Sequence, residues 1–322
     1  MGKRITLAVF VLLPFIGFSQ KTDTLIKKLD SLSKKTDSAG GQNNNINKAA
    51  YNENTRITFS SYFILLGSDL KQEITAPFHL THKDWIKVGG FALIEGGLFF
   101  ADEPVQRFAL DLRDHNAGVR SISKYVTRFG GVYETYLLAG LGAYGFIFKT
   151  EKIKTTTLLA TQAYITGGAM ESLIKFLSGR QRPFSLDPNA VEAEPKFHGP
   201  FYSSGRDENG KRLNSSFPSG HTTVAFAAAT VFAMEYKDRP LVPIISYTAA
   251  TLIGLSRITE NKHWATDVVA GAALGYLTGR QVVNNYHRYA KLKAPGQKKN
   301  SVSFNLQYNY GHLMPGLVYT FR

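Results

Sequence analysis

The sequence predicts an all-α fold, a bundle of six helices, followed by a short C-terminal β-hairpin. Three observations carry this. Six apolar segments of helical length follow one another from Asp84 to Val283, separated by basic or polar stretches. Ala, Gly, Ser and Thr are scattered through them, which permits close helix approach. Beyond Asn300 the pattern changes to alternating polar and apolar residues, the period of a strand.

Composition narrows the class. A chain of 322 residues holds one large domain or two small ones, and 43% hydrophobic with 12% aromatic residues is enough to bury a core. The balance of 38 Lys+Arg against 24 Asp+Glu, formally +14, favours anionic partners such as phosphorylated metabolites or an acidic lipid surface. No run interleaves basic and aromatic residues as single-stranded nucleic acid requires, so nucleic acid is not expected as a partner. With no cysteine, disulfides and thiolate metal sites are excluded.

In chain order, Lys3 and Arg4 precede an apolar stretch from Ile5 to Phe18, with small residues at Gly17 and Ser19. This reads as a secretory signal over residues 1–19, cleaved after Ser19. The other reading is an anchor helix, but about 14 apolar residues fall short of the roughly 20 a bilayer span needs. Residues 20–57 are polar and read as a solvated linker, with Leu25, Leu29 and Leu32 suited to a short amphipathic helix. The helical domain is expected over residues 58–290, opening on a brief apolar segment, 58–70, of unassigned type. Its helices are Asp84–Phe100, N-capped by Asp84, then Val132–Phe148, Thr155–Leu177, Ser219–Met234, Leu241–Ser256 and Ala265–Val283. Asp102 to Phe129 reads as a basic polar connection. The loop from Phe184 to Phe217, about 34 residues, is long enough to suggest a functional role. Over residues 300–322, Ser301–Tyr310 and Leu317–Phe321 form the hairpin around a turn at Gly311–Pro315.

The chemistry is concentrated between residues 175 and 267, in three polar islands at the ends of apolar runs. The first runs from Lys175 through Arg180 and Arg182 to Pro183. The second is Phe217-Pro218-Ser219-Gly220-His221. The third runs from Ser256-Arg257 through His263 to Asp267. Lys175, Arg182 and Arg257, with Arg180 as a further candidate, suit the oxygens of a phosphate group. Each alone reads equally as a cation snorkelling from an apolar helix end. Ser219 and Gly220 open a helix, where unpaired first-turn amides attract anions. His263 and Asp267 stand four residues apart, so a helix puts them on one face. The carboxylate then fixes the imidazole tautomer and leaves the other ring nitrogen to attack. His221 is placed to protonate a leaving oxygen. His263 with Asp267 also suits two metal ligands, but the islands lack a third at ligand spacing, so no metal or cofactor is expected.

At these residues the sequence resembles the superfamily of type 2 phosphatidic acid phosphatases and vanadium haloperoxidases. The pattern is Lys175 with Arg182-Pro183, then Pro218-Ser219-Gly220-His221, then Ser256-Arg257 with His263 and Asp267, without departure. The likeness covers roughly residues 84–290. It implies an all-helical bundle and a metal-independent phosphomonoesterase or pyrophosphatase. In that scheme His263 is the nucleophile and forms a phosphohistidine, and Asp267 orients it. His221 protonates the leaving group and then activates water. Lys175, Arg182, Ser219, Gly220 and Arg257 hold the phosphoryl oxygens.

The resemblance leaves several activities open: a membrane lipid phosphatase, a soluble exported acid phosphatase, a vanadate-dependent haloperoxidase, and a binding protein without turnover. A lipid phosphate substrate and a membrane surface are the expected partners, with Phe184, Phe197, Phe201 and Tyr202 in the long loop suited to a greasy ligand. If the helices span, the basic turns Lys149–Lys154 and Lys237–Arg239 fall on one side and the islands on the other, which gives an outward-facing site. A cleaved signal conflicts with that count. It puts residue 20 outside and, after three spans, the first island inside, unless residues 58–70 also enter the membrane.

Overall fold

A computed structural model describes residues 26, 27, 29 and 51–293, apart from 54, 185, 186, 188, 203, 204, 207–209 and 211, together with the backbone of 301–309 and 312–320. The signal sequence and most of the polar linker lie outside the described residues.

The chain is mostly helical, but the described residues form nine α-helices, not six. They are α1 (Phe59–Thr75), α2 (His82–Phe99), α3 (Asp102–His115), α4 (Ala117–Val126), α5 (Val132–Ile147), α6 (Glu151–Ser178), α7 (Gly220–Glu235), α8 (Leu241–Thr259) and α9 (Ala265–Lys293). Short 3-10 turns follow α1 and α4, at Ala76–His79 and Thr127–Gly130. The extra helices come from stretches with weak apolar signals. α1 begins at a capping box in which Thr58 and Ser61 satisfy each other's backbone amides. α3 lies in the connection expected to be polar and buries Asp102, Gln106, Ala109, Leu110 and Arg113, one stripe of the helix. Its stripe is largely polar, which hid it from a search for apolar periodicity. α2 starts two residues early: Thr81 is the cap, and Asp84 is the acidic N3 partner that accepts from the Thr81 amide at 3.1 Å.

α7 is the central helix, packed by α6, α8 and α9. Its closest neighbour is α9, through Gly271, Gly275 and Gly279, which are spaced by four and share a face. A Cβ on Gly275 would stand 2.2 Å from the Thr223 carbonyl oxygen, and one on Gly271 would stand 2.7 Å from that of Ser219. Nothing larger than hydrogen fits on this ridge at the present helix separation. α6 and α8 end where α7 and α9 begin, and the three islands meet at that end of the bundle. At the opposite end, Tyr51, Thr55 and Ile57 are buried. Tyr51 donates to Glu235, which also pairs with His287 Nε2 at 2.7 Å, and the Tyr286 hydroxyl donates to the Thr55 carbonyl at 3.3 Å.

The outside of the bundle is apolar over several helices. α2 buries none of its residues and exposes Trp85, Ile86, Leu93 and Ile94. α8 exposes Leu241, Ile244, Ile245 and Leu255. Among the described residues α8 is the one helix long and apolar enough to cross a membrane by length and composition. Past the bundle, β1 (Ser301–Asn309) and β2 (His312–Thr320) pair antiparallel from Ser301 with Thr320 to Asn309 with His312. Pro315 therefore pairs with Leu306 inside the ladder, and the turn does not extend to it.

Candidate active site

The site is built on a buried guanidinium. Arg180 follows Gly179, whose left-handed backbone (φ 54°) ends α6 and turns the chain back along the bundle end. Arg180 is fully buried and sandwiched against the rings of Phe197 and Phe217, 4.7 and 5.9 Å from its centre. It pairs with Asp102 and with Asp267, the latter at 2.6 Å. Both terminal nitrogens of its guanidinium are thus engaged by carboxylates. Its charge is used to hold two carboxylates in a place where neither could stand alone.

Asp267, at the third position of α9, is fixed from several sides. It accepts from Arg180, from the Ser216 hydroxyl and from the Trp264 amide at 2.8 Å, and its own carbonyl accepts from the Ser219 amide at 2.8 Å. The last bond ties the start of α9 to the start of α7. Asp102 also receives the Thr266 amide at 3.0 Å.

His263 lies in the connection between α8 and α9 and is 2% exposed. Its Nδ1 is 2.8 Å from the Ser216 carbonyl and 3.5 Å from Asp267 Oδ2. A carbonyl only accepts, so the proton sits on Nδ1 and the lone pair on Nε2. The nearer orienting group is thus a backbone oxygen, with the Asp267 carboxylate behind it. Burial first, and then the charges of Arg182, Lys175, Arg257 and His221, hold the imidazole well below its ordinary pKa. The ring is kept neutral by the same cations that would attract an anion.

Those cations are positioned by the ends of α6 and α8 and by the loop. Arg182 donates to the carbonyls of Lys262 at 2.9 Å and Ser215 at 3.2 Å. Arg257 donates to Thr127. Lys175 pairs with Glu171 at 2.9 Å, and both stand over Gly220: a Cβ there would meet Glu171 Oε1 at 2.6 Å and Lys175 Nζ at 3.1 Å. Gly220 is therefore required by packing at the helix start. Ser219 occupies the N-cap position, is fully buried, and accepts from Thr222 at 2.9 Å through its hydroxyl. His221 is backed by Gly130 and Gly131: a Cβ on Gly131 would lie 3.4 Å from its Nε2.

The structure thus gathers Lys175, Arg182, Ser219, Gly220, His221, Arg257, His263 and Asp267 at one end of the bundle. Sequence reasoning missed Ser216, Asp102, Thr266, Thr127 and the Gly130-Gly131 strip. Ser216 meets His263 through its carbonyl, which any residue type supplies, and Asp267 through its hydroxyl. Asp102 and Thr127 lie in the stretch read as a polar connection, and only Gly130-Gly131 carried a local signal.

A model of the PAP2 superfamily matches residues 156–290. The likeness to the PAP2 superfamily is thus carried by residues 156–290. The matched segment runs from the first turns of α6 into the last of α9 and contains all three islands. Among relatives, a lipid A 1-phosphatase from Porphyromonas gingivalis is 49% identical over 79 residues, which is 24% of this chain and 18% of that protein. A lipid A 1-phosphatase from Rhizobium johnstonii is 28% identical over 171 residues, 49% of this chain and 64% of that protein. Both matches span less than two thirds of the relative's own length. Among solved structures, the transmembrane PAP2 type phosphatidylglycerolphosphate phosphatase from Bacillus subtilis aligns over 62% of this chain and 94% of its own, with 22% identity and a TM-score of 0.43.

Proposed function

We propose that this PAP2 protein is a metal-independent phosphatase that hydrolyses phosphate monoesters or pyrophosphates of lipids through a phosphohistidine. The observation that carries the reading is His263: a buried neutral imidazole whose Nδ1 proton is committed to the Ser216 carbonyl at 2.8 Å, surrounded by Lys175, Arg182 and Arg257. Nε2 attacks phosphorus as the bond to the leaving oxygen breaks, and His221 delivers the proton that oxygen needs. The imidazolium formed on His263 is stabilised through Nδ1–H by the Ser216 carbonyl and the Asp267 carboxylate. Lys175, Arg182, Arg257, the Ser219 side chain and the first-turn amides of α7 neutralise charge spreading over the equatorial oxygens. His221, now neutral, takes a proton from water as its oxygen attacks the phosphohistidine, which releases phosphate and restores the first state.

The lipid assignment draws on the names of the relatives, both lipid A 1-phosphatases, and on the apolar outer faces of α2 and α8. We further propose that the bundle sits in a membrane with the site facing out. The basic turns after α5 and α7 lie at the end opposite His263, and positive charge favours the cytoplasmic side. The test is chemical trapping. Enzyme quenched in alkaline denaturant during turnover of a labelled lipid phosphate should carry base-stable, acid-labile label, and His263→Ala should carry none. Equal labelling of His263→Ala would overturn the mechanism, and so would activity that chelator removes and added Mg²⁺ restores.

A further inference from the structure

On α7, the face that bears His221 continues through Ala225, Ala229 and Phe232, at intervals of three and four residues. Along it runs a cavity of about 260 Å³ between α5, α7 and α8, walled by Leu137 and Ile253 among others. The alanines leave this space: a larger residue at either position would fill it. The cavity adjoins the reacting groups. A Cβ on Gly130 would meet both Ile253 Cγ2, at 2.6 Å, and His221 Cβ, at 2.8 Å, so one glycine separates cavity wall and imidazole. Toward the outside, Leu137 is 56% exposed, so the groove opens onto the apolar face of the bundle.

One lining residue does not suit an empty apolar groove. Glu134, in the first turn of α5, is 6% exposed, and neither carboxyl oxygen has a hydrogen-bond partner among the described residues. The helix start accounts for an acidic residue in that turn. It does not account for burying both oxygens unbonded, an arrangement that native proteins seldom keep without a use.

We propose that this groove holds the hydrocarbon chain of the leaving group, and that Glu134 hydrogen-bonds a hydroxyl or amide where that chain joins the phosphate-bearing head. The inference rests on the phosphatase reading and deepens it. The oxygen protonated by His221 stays attached to the departing lipid, so the rest of that lipid has to leave the phosphate pocket past His221. The groove is the apolar path that begins there. A polar acceptor just inside it matches a lipid with a donor near its head, and it disfavours a polyprenyl phosphate, which is hydrocarbon from the first carbon.

The test uses the full chain in detergent micelles with three substrates: a monoacylglycerol phosphate with a free hydroxyl, farnesyl phosphate and phenyl phosphate. Ala229→Phe should lower kcat/KM for the acyl lipid relative to phenyl phosphate by about tenfold. Glu134→Leu should lower the preference for the hydroxyl-bearing lipid over farnesyl phosphate by about tenfold, and Glu134→Gln, which keeps hydrogen-bonding capacity, should largely restore it. If Ala229→Phe does not fold, an acyl series from butanoyl to hexadecanoyl on the unaltered enzyme replaces it, and kcat/KM should climb and then level as the groove fills. Unchanged ratios in folded variants, or a flat chain-length series beside good phenyl phosphate turnover, would overturn the groove and leave the phosphatase reading standing. No turnover of any of the three would overturn both.

Discussion

At the level of single residues, the proposed mechanism poses one problem: keeping a nucleophile neutral in a pocket that would hold an anion. The His263 ring has its Nδ1 proton 2.8 Å from an acceptor-only oxygen, and burial with four nearby cationic or basic groups disfavours its charged form. Because its pKa is lowered, deprotonated His263 persists as pH falls through its ordinary value of 6.5, and the nucleophile is lost only well below that. The acid limb of kcat/KM should therefore lie below pH 6.5, and a limb at or above it would contradict the burial argument. His263→Ala should lower kcat by about 10³-fold or more, as loss of a covalent nucleophile does. Arg180→Ala leaves Asp102 and Asp267 buried together without their cation, which should destabilise the protein by about 3–5 kcal/mol, read as a fall in thermal midpoint. The grouping of His221, Lys175, Arg182 and Arg257 around His263 was legible in sequence because these polar side chains stand at the ends of apolar runs. For Arg180 a sequence gives the charge but not the direction in which it points, here toward Asp102 and Asp267. The Ser216 contact with His263 was invisible, because a carbonyl leaves no mark in residue type.

At the level of elements, the site depends on the contact between α7 and α9. The Ser219 amide bonds the Asp267 carbonyl at 2.8 Å, so the anion-binding helix start and the carboxylate behind His263 are held as one unit. Gly271, Gly275 and Gly279 set how closely those helices lie. Gly275→Val would force the Thr223 backbone away, and overpacking of this kind costs about 1–3 kcal/mol. We expect a lower thermal midpoint together with a lower kcat, because the helix start moves relative to Asp267. A variant that melts lower but keeps full kcat would separate the ridge from catalysis. The apolar runs revealed α5 through α8 to within about four residues at each end, since their composition alone marks them, but α9 continues past the expected Val283 to Lys293, where the sequence turns polar. They did not reveal α3 and α4, which face the core with Gln106, Arg113 and Ser123 partnered by Thr259 and Asn261, and with Asp102 partnered by Arg180 and Thr266. A helix whose inward stripe is polar has no apolar period to find.

At the level of the whole molecule, the two ends of the bundle differ in kind. One gathers the three islands under the long loop, where Phe201 is 94% exposed. The other carries the basic turns after α5 and α7, the end of α9, and Tyr51 held by Glu235, which also pairs with His287. Between them the surface of α2 and α8 is apolar. Glu53 is exposed and belongs to the basic end. If the bundle spans a membrane with its basic end inward, Glu53 and Phe201 lie on opposite sides of it. Since the chain has no cysteine, each position can carry a single reporter. In intact spheroplasts a membrane-impermeant maleimide should label Phe201→Cys, and should reach Glu53→Cys only after the membrane is opened. That outcome would also exclude cleavage after Ser19 with residue 20 released outside, unless the stretch before Glu53 crosses back. Labelling of both positions in intact spheroplasts would mean that the whole bundle is exported and spans nothing. Protection of Phe201 with labelling of Glu53 would invert the site and overturn the outward-facing proposal.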